Sequence, residues 1–144
     1  IRFNFNNIQL TSKLIDGKFP DYKRVIPFQN DKVMIVETKF FADAVDRVST
    51  ISSDRGRAIK LSIGENLLTL SVTSPDSGTA IEEIPVIYNS EPIEIGFNSK
   101  YLLDITSQLI SDTTKFFFSE SGAPSLIRDP ADEATLYVLM PMRV

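Results

Sequence analysis

The sequence contains no cysteine and no histidine. Lack of cysteine removes disulfides, thiolate nucleophiles and Cys-based metal sites, and it fits a reducing compartment such as the cytoplasm. Lack of histidine removes the usual general base and the commonest metal ligand. Catalysis would have to rest on carboxylates, lysine, tyrosine or serine. No apolar run approaches the roughly 18 residues of a membrane span, and no signal-peptide pattern opens the chain. Gly17-Lys18 has neither the upstream glycine nor the following Ser/Thr of a phosphate-cradling loop. Excess positive charge is missing too. The net charge of −4 argues against a protein that grips nucleic acid over its whole surface, while leaving room for a small basic patch.

What is present is a chain of 144 residues, 42% hydrophobic and 24% charged, enough for one ordinary domain with a real core. Ile1-Arg2-Phe3-Asn4-Phe5-Asn6 alternates like a strand entered midway, as expected of a fragment of a longer polypeptide. Strands are predicted at Arg2–Phe5 and Gln9–Lys13 around a turn at Asn6-Asn7. Asp16 to Pro27 follows as a connector. Pro20 and Pro27 bias it toward extended backbone. Phe19, Tyr22, Val25 and Ile26 are too apolar for a solvated linker, so it should pack on something.

From Lys32 a repeated grammar appears. A strand at Lys32–Glu37 leads to a helix capped by Thr38 and running to about Ser52, with Phe41, Ala44, Val45, Val48 and Ile51 at helical spacing. After the Ser53-Asp54-Arg55-Gly56 turn, strands are expected at Ala58–Ile63, Leu67–Thr73 and Thr79–Tyr88. A strand at Ile93–Phe97 then leads to a helix capped by Asn98 and running to about Ser111, with Leu102, Ile105, Leu109 and Ile110 as its apolar stripe. Strands at Lys115–Ser119, Ser125–Arg128 and Thr135–Met140 complete the order. The pattern is β-α-β-β-β twice. Hairpin-length links imply two antiparallel sheets with both helices on one side, an α+β fold.

Candidate chemistry is sparse. Glu82 and Glu83 are adjacent on a strand and so point to opposite faces. Asp129, Asp132 and Glu133 lack the glycine turn and terminal acid of a calcium loop. Arg47, Arg55, Arg57, Lys60 and Lys100 gather around the two helices, but no aromatic platform or base-reading spacing accompanies them. Any contact with DNA would be weak and sequence-blind. The tail Tyr137 to Val144 is different. Beyond Pro141, Met142 and Val144 are too apolar for a frayed end, and methionine adapts to varied ligands. An exposed surface of this kind suits a peptide.

Three stretches resemble the bacterial sliding clamp, the beta subunit of DNA polymerase III: Asp16–Pro27, Ile93-Glu94-Ile95-Gly96-Phe97-Asn98, and Tyr137–Arg143. Their order and spacing match as well. The resemblance implies the clamp fold, with residues 1–21 as the end of the second domain and connector, and 22–144 as the third domain. It implies a DNA replication processivity factor without catalytic activity or cofactor. The family forms a head-to-tail homodimeric ring around duplex DNA and docks polymerase III, clamp-loader and repair proteins through a short peptide.

By the same resemblance the peptide pocket takes Pro20, Arg24 and Val25 from the connector, with Asn98 and Tyr101 at its flank. Pro124, Ile127, Val138, Leu139, Met140, Pro141 and Met142 supply the rest. Arg47 and Lys100 would face DNA, and Thr50 and Ile51 the ring interface. Two buried peptide anchors at roughly 1.5–3 kcal/mol each, less ordering costs, give an affinity near micromolar, on the order of −8 kcal/mol. The rivals are a stand-alone peptide-binding adaptor and a carboxylate hydrolase built on Glu82, Glu83 or Asp129.

Overall fold

The computed structural model describes residues 1–18, 21–52 and 57–144. A turn at Asn6, with φ of 50°, joins β1 (Arg2–Phe5) to β2 (Ile8–Thr11). Asparagine enters this left-handed region more readily than most residues because its side chain bonds locally. Both strands are exposed throughout, with Phe3, Phe5, Ile8 and Leu10 open on the hairpin.

The connector departs from expectation in two ways. Tyr22–Arg24 is a 3-10 turn rather than extended backbone, because the Asp21 carboxylate accepts from the Lys23 N–H at 3.1 Å and caps it. Tyr22 and Val25 are also exposed rather than packed, and among the described residues of the connector burial begins at Ile26 and Pro27. Phe19 and Pro20 lie outside the described residues, as does the predicted turn at 53–56.

The first half comprises β3 (Lys32–Glu37), α1 (Thr38–Ser49), β4 (Ala58–Gly64), β5 (Leu67–Ser74), β6 (Gly78–Pro85) and β7 (Ile87–Tyr88). The second comprises β8 (Ile93–Asn98), α2 (Ser99–Thr106), β9 (Thr113–Phe118), β10 (Ser125–Asp129) and β11 (Asp132–Leu139). The α+β class and the doubled β-α-β-β-β order are as expected. The halves exchange their leading strands. One sheet runs β11-β10-β9-β3-β7 and the other β6-β5-β4-β8, all antiparallel. Neither half can complete its sheet alone.

The single strand expected at Thr79–Tyr88 is two strands in different sheets. Pro85 has no N–H to continue a ladder. Val86 instead donates to the Asn66 carbonyl at 3.2 Å, and Asn66 donates to the Tyr88 carbonyl at 3.2 Å. The chain then crosses over, so that Ile87 and Tyr88 pair with Ile35 and Met34 of β3.

Both helices are shorter than their apolar patterns suggested. Glu37, not Thr38, caps α1, its carboxylate accepting from Phe40 N at 3.2 Å. The Thr38 hydroxyl is buried and turns to the other half. It donates to the Ser111 carbonyl at 2.8 Å and lies 2.8 Å from the Thr114 hydroxyl. Helix α1 ends at Ser49, where Ser49 and Thr50 hydroxyls both bond back to the Asp46 carbonyl. Asn98 does cap α2, accepting from Lys100 N at 3.0 Å. That helix stops at Thr106, where the Thr106 and Ser107 hydroxyls take the Leu103 and Asp104 carbonyls. Ile110 therefore leaves the apolar stripe and is exposed.

Phe41, Ala44, Val45 and Val48 of α1 are buried as predicted, with Ile51 packed against the same cluster. Phe41 meets Phe116 of β9 edge-on, with centroids 5.2 Å apart at 61°, and Phe116 stacks with Phe118 at 6.0 Å. No helix among the described residues is long and apolar enough to cross a membrane.

Candidate functional site

Strand β11 is the outer strand of its sheet and carries the chain toward its end. Leu136 to Met140 run beside Tyr101, Asp104 and Ile105 of α2, and together they line an open groove of about 540 Å³. Its lining is mostly apolar, with Asp104 as the one ionisable carboxylate. Met140 lies just past β11 and is exposed. An open, mostly apolar hollow of this volume beside an edge strand is suited to apolar side chains from a partner.

Past Pro141 the tail changes sheets. The Met142 N–H donates to the Gly96 carbonyl at 2.8 Å, forming an antiparallel bridge on β8. A second hollow of about 670 Å³ opens there between Pro141–Val144, Gly96, the Ser121-Gly122 turn and the Lys60–Glu94 ion pair at 2.8 Å. Lys60 and the Ser62 hydroxyl hold the Glu94 carboxyl below its usual range.

The structure thus brings together Tyr101, Val138, Leu139 and Met140 in one hollow, and Pro141 and Met142 in the adjoining one. The other described residues expected at the pocket line neither. Arg24 and Val25 are exposed on the connector, with Arg24 Nε 3.8 Å from Asp21. Asn98 has its side-chain oxygen committed to capping α2. The Pro124 carbonyl accepts from Asn30 Nδ2 at 2.9 Å, a clamp that also reaches the Phe117 carbonyl. Ile127 is fully buried in the core and presents no side chain to a partner. Pro20 lies outside the described residues. Asp104, Ile105, Leu136 and Tyr137 also line the groove and are not among the residues expected at the pocket. Ile105 stands in the helical stripe of α2 and Tyr137 opens the apolar tail, signals that carry no pocket assignment by themselves.

Of the predicted basic residues, Arg47 is engaged. Its Nε and Nη2 meet Glu82 Oε2 and Oε1 at 3.1 and 2.5 Å. This bidentate pairing raises the Arg47 pKa and lowers that of Glu82. Lys100 is exposed on the first turn of α2, beside a smaller hollow shared with Ser49, Thr50, Ser52, Arg57, Ser99 and Leu103. Thr50 is exposed and Ile51 half-buried at the end of α1.

The carboxylates do not assemble a catalytic cleft. Glu82 lies in one sheet, bound to Arg47, and Asp129 in the other. Asp129 is buried, and the loop expected around it is a tight β10–β11 turn with a register shift after Ile127. The Asp129 carboxylate faces the segment between α2 and β9, accepting from Ile110 N at 2.7 Å, Ser111 N at 3.2 Å and the Ser111 hydroxyl, and it also accepts from Ala131 N at 2.8 Å in its own turn. These donors, the Ser111 hydroxyl first, hold its pKa down to about 2. Among the described residues no cluster of acidic side chains could hold a metal ion.

A carboxyl depressed on folding stabilises the protein above its unfolded pKa and loses that contribution as pH falls through the folded value. Asp129 should therefore contribute fully above about pH 4, and its contribution should fade as pH falls toward about 2. In Asp129→Asn, urea midpoints should be lower at neutral pH and should change less on acidification over that window. An unchanged acid limb would show that this network does not couple to folding.

A family model described as the DNA polymerase III beta subunit, C-terminal domain, matches residues 23–143. The beta sliding clamp of Caulobacter vibrioides is 47% identical over all 144 residues, which make up 39% of that protein. The Pseudomonas aeruginosa beta sliding clamp is 36% identical over the same span, again 39% of its length. Among solved structures, a DnaN sliding clamp from Bartonella birtlesii bound to griselimycin is 57% identical with a TM-score of 0.92. The match covers 99% of this chain and 38% of that one. A Caulobacter crescentus beta sliding clamp with PEG at a putative beta-motif tethering region is 48% identical with a TM-score of 0.91, and 99% of this chain covers 38% of it. The chain spans about two fifths of the length of these relatives.

Proposed function

The chain belongs to the DNA polymerase III beta subunit family, through that family's C-terminal domain, and on that premise we propose that it acts as the closing portion of a sliding clamp. In this reading residues 1–21 are the end of the preceding domain and the connector, and 22–144 the C-terminal domain. The full ring is a cytoplasmic homodimer that encircles duplex DNA without regard to sequence and performs no catalysis. Its task is to tether polymerase III and other replication and repair proteins by short peptides.

One observation carries the docking role. An open, mostly apolar groove along Leu136–Met140 adjoins a tail pinned to β8 at Met142, a place for apolar side chains of a peptide. The exposed Val25 supplies a further apolar contact from the connector once the rest of the clamp completes the pocket's wall. Lys100 is the better placed of the two proposed lining cations, because Arg47 is already neutralised by Glu82. Weak contacts of that kind let a ring slide, where strong or base-specific ones would trap it. Thr50 and Ile51 at the end of α1 are assigned to the ring interface. The stand-alone adaptor is not favoured, since the relatives named above carry this stretch within a longer clamp.

The test is titration of a short fluorescein-labelled peptide carrying adjacent Leu and Phe, followed by anisotropy. Val25→Ala with Met142→Ala should weaken binding about tenfold or more, each truncation removing roughly 1 kcal/mol of apolar burial. The urea midpoint should hardly move, since both side chains are exposed. Unchanged titration curves would remove the pocket assignment.

A further inference from the structure

We propose that Gly96 is a positioning residue for the docking site. Its missing side chain forms the seat on which Met142–Val144 rest, and that seat holds Met140 and Met142 where a peptide meets them. The proposal rests on the peptide-docking reading above.

A glycine in the middle of a strand weakens it and calls for a reason. Turn geometry is not the reason here, since Gly78 is the glycine with positive φ among the described residues and Gly96 is regular strand. Space is the reason. A Cβ built at Gly96 would lie 2.6 Å from the Met142 carbonyl oxygen and 2.8 Å from Val144 Cγ2, and would collide with Val144 Cγ1. At Gly17, Gly64 and Gly122 the same atom would meet nothing within 4 Å. One of the obstructing atoms is backbone, so a rotamer change cannot clear it.

The seat links the two sheets. Strand β11 is the free edge of one, β8 the free edge of the other, and the tail passes from the first to the second. Gly96 pairs with Lys60 of β4 on one side and bridges Met142 on the other. Pro141, with its fixed φ, separates Met140 in the groove from Met142 on the seat. Lifting the tail would therefore free both residues. A peptide would then have to order them on binding, at roughly 0.5–1.5 kcal/mol for each side chain immobilised.

Gly96→Ala should leave the Met142 amide unprotected in hydrogen exchange and weaken the Leu-Phe peptide about tenfold, the cost of ordering two side chains. Adding Val144→Gly removes the two clashing methyl groups and should recover part of both effects. A residue with a purely structural role in β8 would show no such rescue. Should Gly96→Ala fail to fold, Met142→Pro deletes the N–H that bonds Gly96 while leaving β8 untouched. It should cost several-fold more affinity than Met142→Ala. Continued protection of the Met142 amide in Gly96→Ala, or equal costs for the Pro and Ala variants, would overturn the proposal. A wild-type chain that binds no peptide would overturn the pocket reading itself. The exchange measurement would still decide whether Gly96 seats the tail.

Discussion

Phe41→Ala should cost about 3–5 kcal/mol of folding stability, the range for deleting a buried aromatic ring and leaving a cavity. Phe41 is fully buried on α1, and its ring packs edge-on against Phe116, which stacks in turn with Phe118. Phe41 belongs to the first half of the repeat and Phe116 and Phe118 to the second, so the cavity would open at the junction between halves. The core around it is tightly interlocked, and β3 cannot shift inward without breaking its pairing with β9. Total stabilities of domains run about 5–15 kcal/mol, so this one change would consume a large share. Urea denaturation at neutral pH reads it directly. A loss under about 1 kcal/mol would mean that the junction can repack, and would contradict a core shared between halves.

Met140→Asp should produce the largest loss of peptide binding, about a hundredfold. Two costs add. An apolar anchor loses its contact, worth roughly 1.5–3 kcal/mol when fully buried. A carboxylate must also be stripped of water beneath the incoming side chain, an effective penalty of several kcal/mol if it stays charged and buried. The groove rim is open enough to relieve much of the second cost. Asp104 already lines the same groove, so a second negative charge adds repulsion. Met140 follows β11 and is 63% exposed, so the fold should be indifferent. Anisotropy with the labelled peptide tests the affinity, and a urea melt tests the fold. A stable variant with unchanged affinity would place peptide contacts elsewhere than this rim.

The strands and both helices were legible in the sequence because alternation and helical spacing are local properties of neighbouring residues. Phe41, Ala44, Val45 and Val48 could be assigned to a core from their spacing alone, and Asn98 to a cap from its position before α2. Element ends were less legible. Thr38, Thr50 and Thr106 carry hydroxyls whose partners decide where helices start and stop, and Thr38 found its partners more than seventy residues away. The site shows the same division. The apolar tail marked Met142 and Val144 as open surface, and the family resemblance added Met140, whereas Asp104 and Leu136 entered the groove only through the packing of α2 beside β11.

By itself, the sequence determined the absence of thiol and imidazole chemistry, the doubled strand–helix order, the helical core face and the clamp resemblance. All of these follow from residue type and local spacing. Tertiary structure alone decided that the halves trade their leading strands, that Pro85 divides one apolar run between two sheets, and that Glu82 claims Arg47. It also turned Gly96 from an unremarkable strand residue into the seat of a tail forty-odd positions later. The physical reason is common to all of them: each depends on which distant atoms arrive within hydrogen-bonding or van der Waals range, and local spacing does not encode that distance.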